Sequence, residues 1–315
     1  MKNMEEKLKN YLKREGIKMN FKEKWLEAVD KKNSVLCAGL DPAEFNMGRG
    51  EKGLPEGVNK RDWALKYVEA VAPYSAVLKP NIQYWKSSGG DIDTLVEAKG
   101  LADSLGMIVI DDSKLADIGS TNDAGIFYAI PRADAVTIAP YAGNMEEASK
   151  MAKARDVGAI TMCIMSNPEY EREKNMLVPI LEGEEESYPS AFLIRSPIAG
   201  DDKLYTPRYI QLAHDAQKYG LDGVVIGAPS KKNHIKNAEI DNVRNLIGDD
   251  RLVLLPGLGA QGGEADAIWK YFGKDKVICN VGRSLMLPNG SNSSPEEQAE
   301  TAKHYQKMLN DRRTN

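Results

Sequence analysis

The chain alternates, from residue 34 onward, between short apolar runs and longer polar or amphipathic stretches. Eight runs qualify: Ser34–Leu40, Ser75–Leu78, Met107–Ile110, Ala133–Ala139, Gly158–Met165, Gly223–Ile226, Arg251–Leu255 and Lys276–Asn280. Each stops at polar or glycine-rich residues, such as Asp41-Pro42 after the first and Val281-Gly282-Arg283 after the last. Helical patterns follow several of them, over Arg61–Val71, Ile92–Leu105, Met145–Arg155 and Pro207–Tyr219. Continuously apolar strands separated by helices are buried on both faces, which means a parallel sheet covered by helices. Eight such units predict a single-domain α/β fold, a closed (β/α)8 TIM barrel. An open doubly wound sheet is the alternative. It usually carries G-x-G-x-x-G after its first strand, where this chain has Leu40-Asp41-Pro42.

Three segments fall outside the rhythm. Residues 1–20 carry Met4, Leu8 and Leu12 at helical spacing and are expected to form an N-terminal helical extension, with Met19 as an alternative start. Residues 21–315 form the barrel domain. Residues 169–206 form an insertion after the fifth strand, with an acidic run at Glu182–Glu186 and a strand expected at Ala191–Ile194. It either lies over the top of the barrel or is a solvated excursion. Ser294-Pro295 reads as a helix cap with proline at the first helical position, opening an outer helix to about Leu309.

Composition limits the function classes. With 42% hydrophobic and 28% charged residues the 315-residue chain is ordinary globular material, and its net charge of −4 provides no nucleic-acid footprint. No apolar run approaches the roughly 18–20 residues of a membrane span. Cys37, Cys163 and Cys279 are too few and too widely spaced for a disulfide framework or a metal site, so a reducing cytoplasm is expected.

Functional groups of such a barrel gather where strands end. The polar residues there are Asp41, Lys79, Asp112, Lys114, Ser166, Gln261 and Arg283. Lys79 closes an apolar strand, where a lysine either snorkels to solvent or is paired. Asp112-Ser113-Lys114-Leu115-Ala116-Asp117 packs three charges directly after another strand. Alternating ammonium and carboxylate groups in a confined site keep each other ionised and hold a proton in a strong local field. Pro256-Gly257-Leu258-Gly259-Ala260-Gln261-Gly262-Gly263 offers backbone N–H groups to an anion, and Gly282-Arg283 at the next strand end adds a helix start and a guanidinium.

These residues resemble the orotidine 5′-monophosphate decarboxylase family, in its longer-chain branch. The resemblance runs from Leu40-Asp41-Pro42 to Gly282-Arg283, in the family's order, through Lys79-Pro80-Asn81, Asp112-x-Lys114-x-x-Asp117-Ile118 with Thr121, and the Pro-Gly-Leu-Gly-Ala-Gln-Gly-Gly loop. Gln83-Tyr84-Trp85 departs from the small and aromatic residues usual in that branch. The resemblance implies decarboxylation of orotidine 5′-monophosphate to UMP, the last step of pyrimidine nucleotide synthesis, by a homodimer needing no metal and no cofactor. Lys79, Asp112, Lys114 and Asp117 would form the catalytic row, with Lys114 protonating ring carbon C6. Asp117, Ile118 and Thr121 would reach the neighbouring subunit's site. Asp41 would bind the ribose, Ser166 the pyrimidine, and Gln261, Gly282 and Arg283 the phosphate. The expected partners are this small molecule and a second copy of the chain, with neither nucleic acid nor membrane.

Rival readings are a metal-dependent sugar-phosphate decarboxylase or hexulose-phosphate synthase of the same superfamily, a Schiff-base aldolase using Lys79 or Lys114, and an inactive nucleotide-binding barrel. His214, His234 and His304 are expected to be non-catalytic, the cysteines to be core residues, and Trp85 to be either core or lid.

Overall fold

A computed structural model describes residues 19–87, 89–130, 132–196, 202–259 and 265–313. Eight parallel strands close into a barrel: β1 (Leu36–Leu40), β2 (Val77–Pro80), β3 (Ile108–Leu115), β4 (Ala135–Ile138), β5 (Gly158–Ile164), β9 (Gly223–Ile226), β10 (Leu252–Leu255) and β11 (Val277–Val281). Pairing follows the chain around the ring from β1 to β5, then through β9, β10 and β11 back to β1. The open-sheet alternative is excluded. Each apolar run of the sequence overlaps one strand, three of which (β2, β3 and β11) extend past the run's end, and the strands are buried throughout except at the end of β3 and at Met162.

Helices α1 (Phe21–Lys32), α2 (Lys60–Val71), α3 (Gly90–Ser104), α4 (Gly119–Phe127) and α5 (Met145–Ala154) belong to the first half of the barrel. Helix α1 opens on a capping box between Asn20 and Glu23 and lies across the N-terminal strand ends. There Trp25 is fully buried and donates from Nε1 to the Asp275 carbonyl, Lys24 pairs with Asp134, and Lys32 donates to the Ala72 and Leu105 carbonyls. The helix covers that mouth and leaves the C-terminal mouth for chemistry. The extension expected over residues 1–20 lies almost wholly outside the described residues.

The insertion contains α6 (Tyr170–Asn175) and an antiparallel three-stranded sheet of β6 (Leu177–Pro179), β7 (Ile194–Arg195) and β8 (Leu204–Pro207), ordered β6-β8-β7. The strand expected at Ala191–Ile194 is a short 3-10 turn over Ser190–Phe192 followed by β7. Part of the described insertion packs on the flank of α7 (Arg208–Lys218): Tyr188 stacks on His214 and Glu184 pairs with Lys218 at the far end of the helix. Tyr188 and Ile180 are buried, and the side of α7 is where those apolar groups find cover. Helices α8 (Asn237–Ile247), α9 (Asp266–Trp269), α10 (Arg283–Met286) and α11 (Pro295–Arg313) complete the chain. Helix α11 has the expected start, Ser294 and Glu297 capping each other reciprocally, and extends past Leu309 to Arg313.

Candidate active site

The C-terminal mouth collects the strand-end polar residues. Lys79, at the end of β2, is buried, and its Nζ donates to Asp112 Oδ2 at 2.6 Å. Lys114 Nζ donates to the other oxygen, Asp112 Oδ1, also at 2.6 Å. The Asp112 carboxylate is thus held between two ammonium groups, one oxygen each. Burial works against charge on Asp112, yet Lys79 and Lys114 outweigh it and hold its pKa well below the usual carboxylate range. Burial likewise disfavours the charged Lys79, but Asp112 and Asp41 outweigh that and raise its pKa above the usual lysine range. The snorkelling alternative for Lys79 is excluded by its burial.

The sequence pattern ends this apolar run at Ile110, before Asp111-Asp112, but the strand continues to Leu115 and carries Asp112 and Lys114 within it. Opposite β4 the register slips: Asp111 faces Val136, while Leu115 faces Ile138. The slip is a bulge, and Lys114 sits in it with φ of 51°, a left-handed conformation costly for a residue with a Cβ. Thr137 of β4 fills the gap. Its hydroxyl accepts from the Lys114 backbone N–H at 3.0 Å and donates to Asp112 Oδ1 at 2.9 Å. Nothing in the sequence pattern marks Thr137 out.

Asp41, at the end of β1, accepts from the Asn81 N–H at 3.1 Å. Burial raises its pKa, against the opposing pull of Lys79. Trp85 is buried and donates from its indole to the Leu40 carbonyl, so of the two readings for it the core one holds. Asp117, Ile118 and Thr121 lie apart from this cluster, all exposed, at the start of α4. Among the described residues the Asp117 carboxylate accepts only the N–H of Ile118, and Asn144 holds the Asp117 carbonyl.

Ser166 follows β5 and packs against Gly227 at the end of β9, where a Cβ would stand 2.8 Å from that of Ser166. Its loop is tied down next door. His234 Nε2 contacts the Asn167 carbonyl at 3.0 Å, and Lys174, fully buried in α6, donates to the His234 carbonyl and to both oxygens of Glu239. His234 therefore has a structural partner, as do His214, stacked with Tyr188, and Cys163, which faces the Tyr209 carbonyl.

On the anion side, Gly259 has φ of 80°, and a Cβ there would collide with the hydroxyls of Ser284 and Tyr305, so only glycine fits. Gln261 lies outside the described residues. Gly282 precedes α10, and Arg283 opens that helix, exposed, its guanidinium without a hydrogen bond or ion pair among the described residues. A free guanidinium beside a glycine loop at the last two strand ends suits a phosphate. Among the described residues no cluster of histidine, cysteine and carboxylate side chains could hold a metal ion.

The chain is similar to known proteins in sequence and in fold. Residues 34–188 match the model of the orotidine 5′-phosphate decarboxylase / HUMPS family. Orotidine 5′-phosphate decarboxylase of Dechloromonas aromatica is 31% identical over 254 residues, 79% of this chain and 82% of that one. The enzyme of that name from Azoarcus sp. is 30% identical over 256 residues, 80% and 83% of the two chains, and that from Bordetella avium 27% over 298 residues, 93% and 99%. In fold, Leishmania donovani OMP decarboxylase superposes with a TM-score of 0.66 at 20% identity, over 94% of this chain and all of the other. The Methanocaldococcus jannaschii orotidine 5′-monophosphate decarboxylase complexed with inhibitor BMP gives 0.58 at 23% identity, over 87% and 98%. With relatives above 30% identity spanning most of both chains, and the lysine–aspartate motif in place at the mouth of the same barrel, the chain belongs to the orotidine 5′-phosphate decarboxylase / HUMPS family.

Proposed function

We infer that the protein decarboxylates orotidine 5′-monophosphate to UMP, without metal or cofactor. The observation that carries this reading is the Asp112 carboxylate gripped by Lys79 and Lys114 at the barrel mouth. When the substrate's C6–carboxylate bond breaks, carbon dioxide leaves and the electron pair stays on C6. The Lys114 ammonium stabilises that charge and delivers its proton to C6, and solvent restores the proton to the amine. Lys79 keeps Asp112 ionised and in place. Asp112 sets negative charge near the departing carboxylate. Asp41 binds the ribose and Ser166 the pyrimidine, while Gln261, Gly282 and Arg283 grip the phosphate, whose binding energy holds the reacting end in register.

The rival mechanisms fit less well. A metal-dependent reaction needs a carboxylate free to ligate, and both oxygens of Asp112 are bonded to ammonium groups. A Schiff-base aldolase needs a neutral amine, and Lys79 is held protonated.

We read the working unit as a homodimer in which Asp117, Ile118 and Thr121 complete the neighbouring site. Two features support this. Asp117 makes no ion pair among the described residues, and Ile118 at one end of α4 and Phe127 and Tyr128 at the other, at 58, 59 and 77% exposure, are large apolar side chains that a second copy would cover. Residues 21–315 serve as one catalytic unit. The buried, unpaired thiols of Cys37, Cys163 and Cys279 suit a cytoplasmic location, and no helix among the described residues is long and apolar enough to cross a membrane.

The test is substrate loss and UMP formation by purified, chelator-treated protein. Turnover without added ion is expected; protein that stays inert until a divalent ion is added would overturn the reading.

A further inference from the structure

We propose that Thr137 is a positioning residue for the decarboxylation, acting through Lys114 and Asp112 and not touching the substrate. The proposal rests on the reading of Lys114 as proton donor.

The argument begins with the bulge. Between the pairs Asp111–Val136 and Leu115–Ile138, β3 advances by more residues than β4 does, so the N–H of Lys114 has no carbonyl opposite it. A buried N–H without an acceptor is costly, and the left-handed φ of 51° at Lys114 adds strain. Thr137 is buried and places its hydroxyl where the missing carbonyl would be, accepting from that N–H at 3.0 Å. Normal pairing resumes one step on, where the Ala139 N–H donates to the Leu115 carbonyl at 2.8 Å.

A hydroxyl has one proton to give, and here it goes to Asp112 Oδ1 at 2.9 Å. The same oxygen accepts from Lys114 Nζ. Lys114 is therefore tied to Asp112 twice, through its ammonium and through its backbone by way of Thr137. The ammonium alone leaves a long, flexible side chain free to swing, since Lys114 is only partly buried. The second tie fixes the Cα from which it swings. It also aims Asp112, whose Oδ2 belongs to Lys79. One hydroxyl thus sets the positions of the proton donor and of the carboxylate facing the leaving group. A misplacement of about 1 Å at a reacting group can cost on the order of a hundredfold in rate.

The substitution that isolates the hydroxyl is Thr137→Val, which keeps shape and β-branching and removes the proton and the acceptor. Steady-state rates are read with orotidine 5′-monophosphate beside wild type and Thr137→Ser. Thr137→Val is expected to lose about ten- to a hundredfold in kcat with KM within about threefold, and Thr137→Ser to stay close to wild type. If the valine variant is insoluble, Thr137→Ala against Thr137→Ser makes the same comparison. Equal kcat in the variants with and without the hydroxyl would overturn the proposal, as would a loss confined to KM. An inactive serine variant would also overturn it. Inert wild type would instead remove the parent reading, which keeps the two failures distinct.

Discussion

Lys79 and Asp112 form a 2.6 Å ion pair between neighbouring strands, and both are buried. Removing one member of such a pair strands the other charge. Lys79→Met should therefore cost about 3–5 kcal/mol of stability in denaturant titrations and abolish turnover. Replacing both residues, Lys79→Met with Asp112→Leu, should recover part of that stability and none of the activity. The pair's pH range follows from its shifts. Asp112 is depressed, so its contribution is present above about pH 4 and fades as pH falls below that; Lys79 is raised, so its contribution is present below about pH 10 and fades only above it. A double variant no more stable than Lys79→Met would show that the charges are not coupled in this way.

Asp111 behaves in the opposite sense to its neighbour. It is buried, accepts one N–H from Ile130 at 2.9 Å, and its Oδ1 has no partner among the described residues. Burial raises its pKa to about 6. The folded state thus prefers the protonated acid, and stability is lost as pH rises from the unfolded value near 4 to about 6, then levels off. Asp111→Asn keeps the acceptor for Ile130 and cannot ionise. Its stability relative to wild type should grow between about pH 4 and pH 6, reaching the order of 2–3 kcal/mol at neutral pH. Chemical denaturation across that range measures it, and a flat difference would refute the assignment.

Sequence patterning exposes most of the barrel because its strands are buried on both faces and read as unbroken apolar runs. The end of β3 was hidden for the same reason: Asp112 and Lys114 are strand residues whose polarity serves the mouth, so they look like a turn. Helix α4, Gly-Ser-Thr-Asn-Asp-Ala-Gly-Ile-Phe, has poor helix formers and no apolar stripe to reveal it. Helix α1 was legible in principle, through the Asn20–Glu23 box and the spacing of Phe21, Trp25, Ala28 and Val29. Thr137 was not. A single hydroxyl in an apolar run looks like Thr161 of β5, whose Oγ1 has no partner among the described residues, and the bulge in β3 that Thr137 faces is not visible in the sequence.

Arg283 is exposed and has no partner among the described residues, so its charge is available to a ligand. Arg283→Ala should raise KM for the nucleotide at least tenfold, the scale of a charge-assisted contact. Turnover of the nucleoside orotidine, which has no phosphate to grip, should hardly change. Comparing the two substrates measures the effect, and equal losses on both would show that Arg283 does not act through phosphate.

The shared-site reading predicts complementation between subunits. Lys114→Ala and Asp117→Ala should each be nearly inactive alone. Asp117 has no ion pair with Lys79 or Lys114 in its own chain, where Asp112 already binds both. In a mixed dimer with Asp117 acting across the interface, one site takes Lys114 from one chain and Asp117 from the other and is whole, while the second site carries both defects. Random exchange across a two-fold interface makes about half the dimers mixed, each with one good site of two, so about a quarter of wild-type activity should return. If Asp117 served its own chain's site, every site in every mixed dimer would lack one residue and none would recover. Differently tagged chains, co-purified to prove exchange, make the measurement decisive: exchange without recovery removes the trans role of Asp117 and leaves the chemistry assigned to Lys114 standing.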